Sequence, residues 1–283
     1  MAIFSNQATL SYNGISVNSN TVTGNIIEVL SVTKTALTES YSSDSDITYI
    51  ISLNNSGALP FTDLTLTDNL GAYSFGAGTV TPLTYVSGSA AFFVNGIFQS
   101  KPVPSSQSPL IFNGISVPAG GNAMIIYEAK SNEFAPLSSQ SEITNSVSVT
   151  GTGIVTPLIA TETVTADEAP LLSIAKALNP VNVAENGALT YTFTIQNTGN
   201  APALATDNVI ITDIFNPVLN NITVTVNGEI LAPSEYTYDE ATGEFATLPG
   251  VITVNEATFT QNPVTGVITV NPSSTVVTVS GTI

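Results

Sequence analysis

The chain has 283 residues and a net charge of −17, from 21 acidic residues against four basic ones, and it contains no Cys, His or Trp. All four basic residues are lysines (Lys34, Lys101, Lys130 and Lys176). This composition excludes disulfides, thiolate metal sites, Ser-His and Cys-His nucleophilic catalysis and zincin-type centres. It also leaves almost nothing to neutralise the phosphates of nucleic acid or of an anionic membrane.

Thr, Val, Ser, Asn, Gly and Pro dominate, which favours strands and turns, and the length suits two domains. No apolar run is long enough to cross a bilayer. The opening MAIFSNQATLSYNG lacks the basic and apolar regions of a Sec leader, so the expectation is a mature form or export without such a signal.

In chain order, residues 1–26 read as a displaced strand and its linker. Asn6-Gln-Ala-Thr-Leu-Ser-Tyr-Asn-Gly14 is similar to Asn145-Ser-Val-Ser-Val-Thr-Gly-Thr-Gly153. Residues 27–160 and 161–283 read as two copies of one domain. Ser31-Val-Thr-Lys34 matches Ser173-Ile-Ala-Lys176, and Asp46-Ile-Thr-Tyr49 through Gly57 matches Ala188-Leu-Thr-Tyr191 through Gly199. Leu64–Asp68 matches Val209–Asp213, and Val94-Asn-Gly96 matches Val226-Asn-Gly228. Ile115–Gly121 aligns with Ile268–Ser274, followed by Ala123–Tyr127 with Val276–Ser280.

These segments alternate with period two between Gly, Asn, Pro and Ser turns, the pattern of antiparallel strands in a sandwich. Asn95-Gly96 and Asn227-Gly228 predict type I′ hairpins. The expected fold is all-β: two tandem Ig-like β-sandwich domains with an N-terminal donor strand, the C-terminal domain lacking its own last strand. A sandwich short of a strand exposes an apolar groove and unpaired backbone, which calls for a partner.

The run Thr33-Lys34-Thr35, Ile47-Thr-Tyr49 with Asn55-Ser-Gly57, Leu66-Thr-Asp68 and Ile143-Thr-Asn145-Ser resembles the bacterial surface-repeat family known as domain of unknown function number eleven. The resemblance covers the first domain and all but the end of the second. It implies an Ig-like structural or adhesive module of an extracellular surface. Two-domain chains of this kind are also similar to clostridial-type proteins, spore-surface appendage subunits among them.

Side chains two apart share a strand face. Lys34 therefore lies with Leu30, Val32 and Ala36, Asp68 with Leu64, Leu66 and Leu70, and Asn145 with Val147 and Val149. Copy two repeats the first two sets: Lys176 lies with Leu172, Ile174 and Leu178, and Asp213 with Val209, Ile211 and Phe215. The Asn that copy two lacks is matched by Asn6, on the donor face Asn6, Ala8, Leu10 and Tyr12.

Each trio resembles the Lys-Asn-carboxylate sets of isopeptide cross-links in bacterial adhesin and pilin domains. The resemblance implies Lys34 joined to Asn145 with Asp68 assisting, and Lys176 joined to Asn6 of the next subunit with Asp213 assisting. Burial lowers a lysine's pKa and raises an aspartate's, which makes that chemistry coherent. The competing reading is a buried ion pair capped by Asn.

Asp44-Ser-Asp46, Asp167-Glu168 and Asp239-Glu240 are weak calcium candidates without the ligand order of an EF-hand loop. Tyr236, Tyr238, Phe92, Phe93 and Phe98 are candidates for a ligand face, although such residues more often fill a core. No cofactor and no metal is expected, and no enzymatic activity beyond single-turnover self-cross-linking. The expectation is a homopolymer outside the cell, on a cell or spore surface, without membrane insertion. The alternative is a monomeric adhesin-like or surface-layer module whose N-terminal strand folds back into its own second domain.

Overall fold

The structure, a computed structural model, describes residues 2–283. Among the described residues it is all-β apart from one 3₁₀ turn, Ala205–Asp207. An N-terminal ribbon comes first: β1 (Ala2–Asn6), β2 (Thr9–Tyr12), β3 (Ile15–Asn18) and β4 (Val22–Ile26). Domain 1 follows with β5 (Leu30–Ala36), β6 (Ser40–Tyr41), β7 (Asp46–Asn55), β8 (Phe61–Asp68), β9 (Tyr73–Phe75), β10 (Gly78–Val80), β11 (Leu83–Tyr85), β12 (Ala91–Val94), β13 (Ile97–Ser100), β14 (Ser106–Gln107), β15 (Leu110–Val117), β16 (Asn122–Ser131), β17 (Glu142–Thr150) and β18 (Leu158–Ala166). Domain 2 contains β19 (Leu172–Asn179), β20 (Ala188–Asn197), β21 (Thr212–Ile214), β22 (Asn220–Val226), β23 (Glu229–Ile230), β24 (Tyr236–Tyr238), β25 (Glu244–Thr247), β26 (Thr258–Gln261), β27 (Ile268–Asn271) and β28 (Ser273–Thr282).

Domain 1 is an Ig-like sandwich of two sheets, β13-β12-β16-β7-β5 with β11 beside β16, and β14-β15-β8-β17-β18-β6. The alternation in the sequence becomes the two faces of each strand. On β7, Ile47, Tyr49, Ile51 and Leu53 are buried, as are Leu64 and Leu66 of β8 and Val147 and Val149 of β17. Each such side chain contributes about 1.5–3 kcal/mol by leaving water. Asn95-Gly96 and Asn227-Gly228 both form hairpin turns with positive φ at the two positions, as type I′ requires.

Domain 2 repeats one sheet in full, β19-β20-β28-β22-β23, and keeps part of the other as β21-β25-β24. Its core holds Tyr191, Phe193, Phe215, Val224, Phe245 and Val277. Buried Asn55 and Asn197 anchor the repeat. Asn55 Nδ2 donates to the carbonyls of Leu59 and Pro118, at 2.8 and 2.9 Å, and Asn197 Nδ2 donates to those of Ala201 and Asn255, at 2.8 and 3.0 Å.

These bonds correct the sequence alignment of the later strands. The counterpart of Ile115–Pro118 is Ile252–Asn255, because Ile252 bridges Val209 as Ile115 pairs with Leu64. Ile268–Asn271 belongs instead to a hairpin, β26–β27, inserted in domain 2. The match of Ala123 to Val276 shifts by one residue: Ala123 opposes Leu53 and Thr275 opposes Ile195. A shift of one residue exchanges the faces of a strand, so buried Tyr127 corresponds to Val279 and not to Ser280.

The compact units are Met1–Ala135 with Glu142–Val164, and Pro136–Ser141 with Thr165–Ile283. Residues 2–26 group with the first unit.

Candidate functional site

In domain 1 the repeat's polar residues converge in the core. Lys34 extends from β5 across the sandwich to β8, where its Nζ pairs directly with Asp68 Oδ2. Lys34 is 3% exposed, Asp68 1% and Asn145 0%. Asp68 Oδ1 accepts the Leu70 N–H at 2.9 Å, and Oδ2 also accepts the Tyr127 hydroxyl at 2.6 Å. Asn145 on β17 donates from Nδ2 to that same hydroxyl oxygen at 3.0 Å, and its Oδ1 accepts the Gly71 N–H at 3.3 Å. Asn145 thus joins the ion pair through Tyr127.

Burial draws the Lys34 ammonium down to about 8, only partly offset by the attraction of Asp68. The Lys34 Nζ lies over the rings of Tyr49 and Tyr127, 4.9 and 5.8 Å from their centroids. Burial and the neighbouring Asp68 push both tyrosine hydroxyls upward, which keeps them protonated. The Tyr49 hydroxyl is buried without a hydrogen-bond partner among the described residues. Tyr49 and Tyr127 complete this site but were not singled out from the sequence. The sequence signal is their inward position in alternating strands, and the structure sets them opposite one another in register.

In domain 2, Lys176 and Asp213 form the same ion pair with far less cover, their side chains 40% and 19% exposed. Lys176 Nζ lies 4.3 Å from the Tyr191 ring centroid, and Asp213 Oδ1 accepts the Ile214 N–H at 2.9 Å. The sequence reading placed both in a core. They lie open because in domain 1 the cover comes from β17 and β18, and among the described residues domain 2 has no counterpart of either. Asp68 is flanked by Leu110 of β15 on one side and Val147 of β17 on the other, whereas Asp213 is flanked by Phe245 of β25 alone. Every residue of β19 is exposed, Ile174 by 58%. A concavity of about 480 Å³ lies beside Asp213, lined by residues of β21, β24 and β25.

The N-terminal segment pairs with the residues that follow it. Strand β1 lies against β4, and β2 against β3, around an Asn13-Gly14 turn with positive φ at both residues. That Asn-Gly is the sequence signal that separates a ribbon from a lone strand. The donor face is exposed throughout, with Leu10 at 65% and Tyr12 at 53%, and Asn6 and Ala8 exposed with them.

The other candidates dissolve into local structure. Asp44 pairs with Lys130 at 3.0 Å, and Asp239 accepts the Ala241 N–H at 2.8 Å. Among the described residues no group of three or more acidic side chains is gathered to hold a metal. Tyr236 and Tyr238 pack on the domain 2 core, and Phe93 meets Phe98 edge-on at 5.6 Å in the hairpin.

No protein-family model and no curated protein matches the chain. Among solved structures the chain is similar to BcpA, the major pilin subunit of Bacillus cereus, at 12% identity over 96% of this chain and 73% of that one, with a TM-score of 0.37. It is similar to the pilus backbone RrgB of Streptococcus pneumoniae at 11% identity over 86% of this chain and 55% of that one, TM-score 0.35. It is also similar to ACE19, the collagen-binding subdomain of an Enterococcus faecalis surface protein, at 10% identity over 50% of this chain and 99% of that one, TM-score 0.32. Superpositions this loose carry no argument about function, and the Ig-like fold stands on the sheets described above.

Proposed function

We propose that the chain is the structural subunit of an extracellular or spore-surface filament. The N-terminal segment of one subunit enters the open side of domain 2 in the next, and each subunit repeats the contact. Such a contact is heterologous and propagates as an open fibre. Main-chain pairing at the edge of β21 provides affinity, and alternate side chains provide register. One observation carries this reading: domain 2 leaves its Lys-Asp pair and the inner face of β19 uncovered where domain 1 covers both. The fold-back alternative has no specific observation in its favour.

The same reading assigns self-cross-linking chemistry to the trios. Buried Lys34 attacks Cγ of Asn145 as a neutral amine. The Nζ–Cγ bond forms and the Cγ–Nδ2 bond breaks. The proton given up by the amine reaches the departing nitrogen through Asp68 and the Tyr127 hydroxyl, and ammonia leaves. The Gly71 N–H supports the carbonyl oxygen, and the fixed geometry supplies a high effective concentration. Between subunits, Lys176, Asp213 and the incoming Asn6 would make the equivalent bond.

The test is polymerisation of the full chain against a variant lacking residues 1–26, followed by sedimentation and electron microscopy. Filaments from the full chain and none from the truncation are expected. Equal assembly of both would end this reading. Digestion of boiled filaments should then yield Lys176–Asn6 and Lys34–Asn145 peptide pairs, each short of one ammonia.

A further inference from the structure

We propose that the occupant of domain 2 is the whole two-stranded ribbon Ala2–Ile26 of a second copy, and not a single strand drawn from it. This rests on the head-to-tail reading above and specifies its partner. Three observations converge on it.

The first is the width of the opening. In domain 1 two strands, β17 and β18, fill the sheet between β8 and β6. Adjacent strands lie about 4.8 Å apart, so this gap measures about 14 Å from rim to rim. Both rims recur in domain 2. Strand β21 holds the place of β8. Asn182–Val183 hold the place of β6, the same number of residues after Lys176 as Ser40–Tyr41 follow Lys34. The turn that follows repeats as well, with Asp44 at φ 61° and Asn186 at φ 64°. Val183 packs against the domain 2 core as Tyr41 is buried in domain 1. Ser40–Tyr41 form a strand because β18 pairs with them, whereas Asn182–Val183 belong to no strand. A single inserted strand would satisfy the β21 rim and leave this one unpaired.

The second is the sequence of the ribbon's return arm. Thr21-Val22-Thr23 stands before Lys34 at the spacing at which Thr163-Val164-Thr165 stands before Lys176. Val164 is fully buried in β18, whereas Val22 is 54% exposed. The return arm therefore matches β18 in sequence, as the first arm matches β17.

The third is the ribbon's own face. Opposed residues of an antiparallel pair lie on the same side. Phe4 opposes Gly24, Asn6 opposes Val22, Leu10 opposes Val17 and Tyr12 opposes Ile15. Both arms thus contribute apolar residues to the face that carries Asn6. The other face is polar except for Ile3, pairing Ile3 with Asn25, Ser5 with Thr23, Thr9 with Asn18 and Ser11 with Ser16, with side-chain hydrogen bonds at the last two pairs. Gly24 suits the closed ribbon, since a Cβ there would lie 2.4 Å from the Phe4 ring. An amphipathic ribbon whose apolar face is left exposed by the described residues is a preformed two-strand plug.

A locked ribbon separates the possibilities. The chain has no cysteine, so Ser5→Cys with Thr23→Cys, opposed on the polar face, installs a single disulfide that holds the arms together. The full-length oxidised variant is expected to polymerise as the wild type does. Assembly only after reduction would overturn the ribbon and leave single-strand exchange standing. Filaments from a Leu10→Asp variant would overturn the underlying exchange itself. Should the cysteines block assembly in both redox states, hydrogen exchange of wild-type filaments decides. Protection gained across both Thr9–Tyr12 and Val22–Ile26 supports the ribbon, and protection gained in Thr9–Tyr12 alone overturns it.

Discussion

Tyr127 and Val279 hold the same register position in the two domains, opposite Tyr49 in one and Tyr191 in the other. Only the first carries a hydroxyl to the aspartate of its trio, at 2.6 Å from Asp68. The two copies therefore share Lys and Asp but not the group that links Asp to Asn.

Tyr127→Phe tests that difference. It removes the donor to Asp68 and the acceptor for Asn145 while keeping the ring. Domain 1 should lose about 1–3 kcal/mol, the cost of leaving buried polar groups unsatisfied. If Tyr127 carries the proton, the Lys34–Asn145 peptide should also form more slowly after refolding, as followed by mass spectrometry. Formation of the Lys176–Asn6 pair should not change.

Lys34→Ala leaves Asp68 buried without its partner. Loss of one member of a buried pair costs about 3–5 kcal/mol. Urea denaturation should show the transition of domain 1 moving down while that of domain 2 stays in place.

The pH response follows from the depressed pKa of Lys34, about 8 folded against 10.5 unfolded. Between those values the unfolded chain binds more protons, so stability rises with pH through that window and the burden of the buried charge is full below it. The difference corresponds to about 3 kcal/mol. Asn145→Ala, which cannot cross-link, should show this rise in urea midpoints between pH 8 and 10.5. In the wild type, cross-linking after refolding should speed up toward pH 8 as the neutral amine accumulates, then level off.

Asn55→Ala and Asn197→Ala should destabilise their own domains alike. Each removes two donors to backbone carbonyls and an acceptor for a glycine N–H, at 2.9 Å from Gly57 and from Gly199. The expected loss is about 1–3 kcal/mol for each group that water does not reach, read from the two unfolding transitions.

Leu172→Asp charges the open face of β19, where Leu172 is 37% exposed in the subunit. Subunit stability should move by less than about 0.5 kcal/mol, as for other surface substitutions. Filaments should not form, which electron microscopy would show directly.

Period-two alternation by itself determined the all-β class and the inward aim of Lys34, Asp68 and Asn145, because a strand has only two faces and each residue must take one. The Asn-Gly turns were equally legible, since few dipeptides accept positive φ twice. Tertiary structure alone decided the rest. Residues of similar composition aligned Ile268 with Ile115 until the paired bridges of Ile252 and Ala203–Val254 placed β26–β27 as an insertion. Tyr127 joined the trio only when β16 was set beside β7 in register. The segment read as one strand pairs as a ribbon, β1 with β4 and β2 with β3. The physical reason is common to all of these. Alternation is a property of one strand, whereas register, neighbours and the width of a gap exist only between strands.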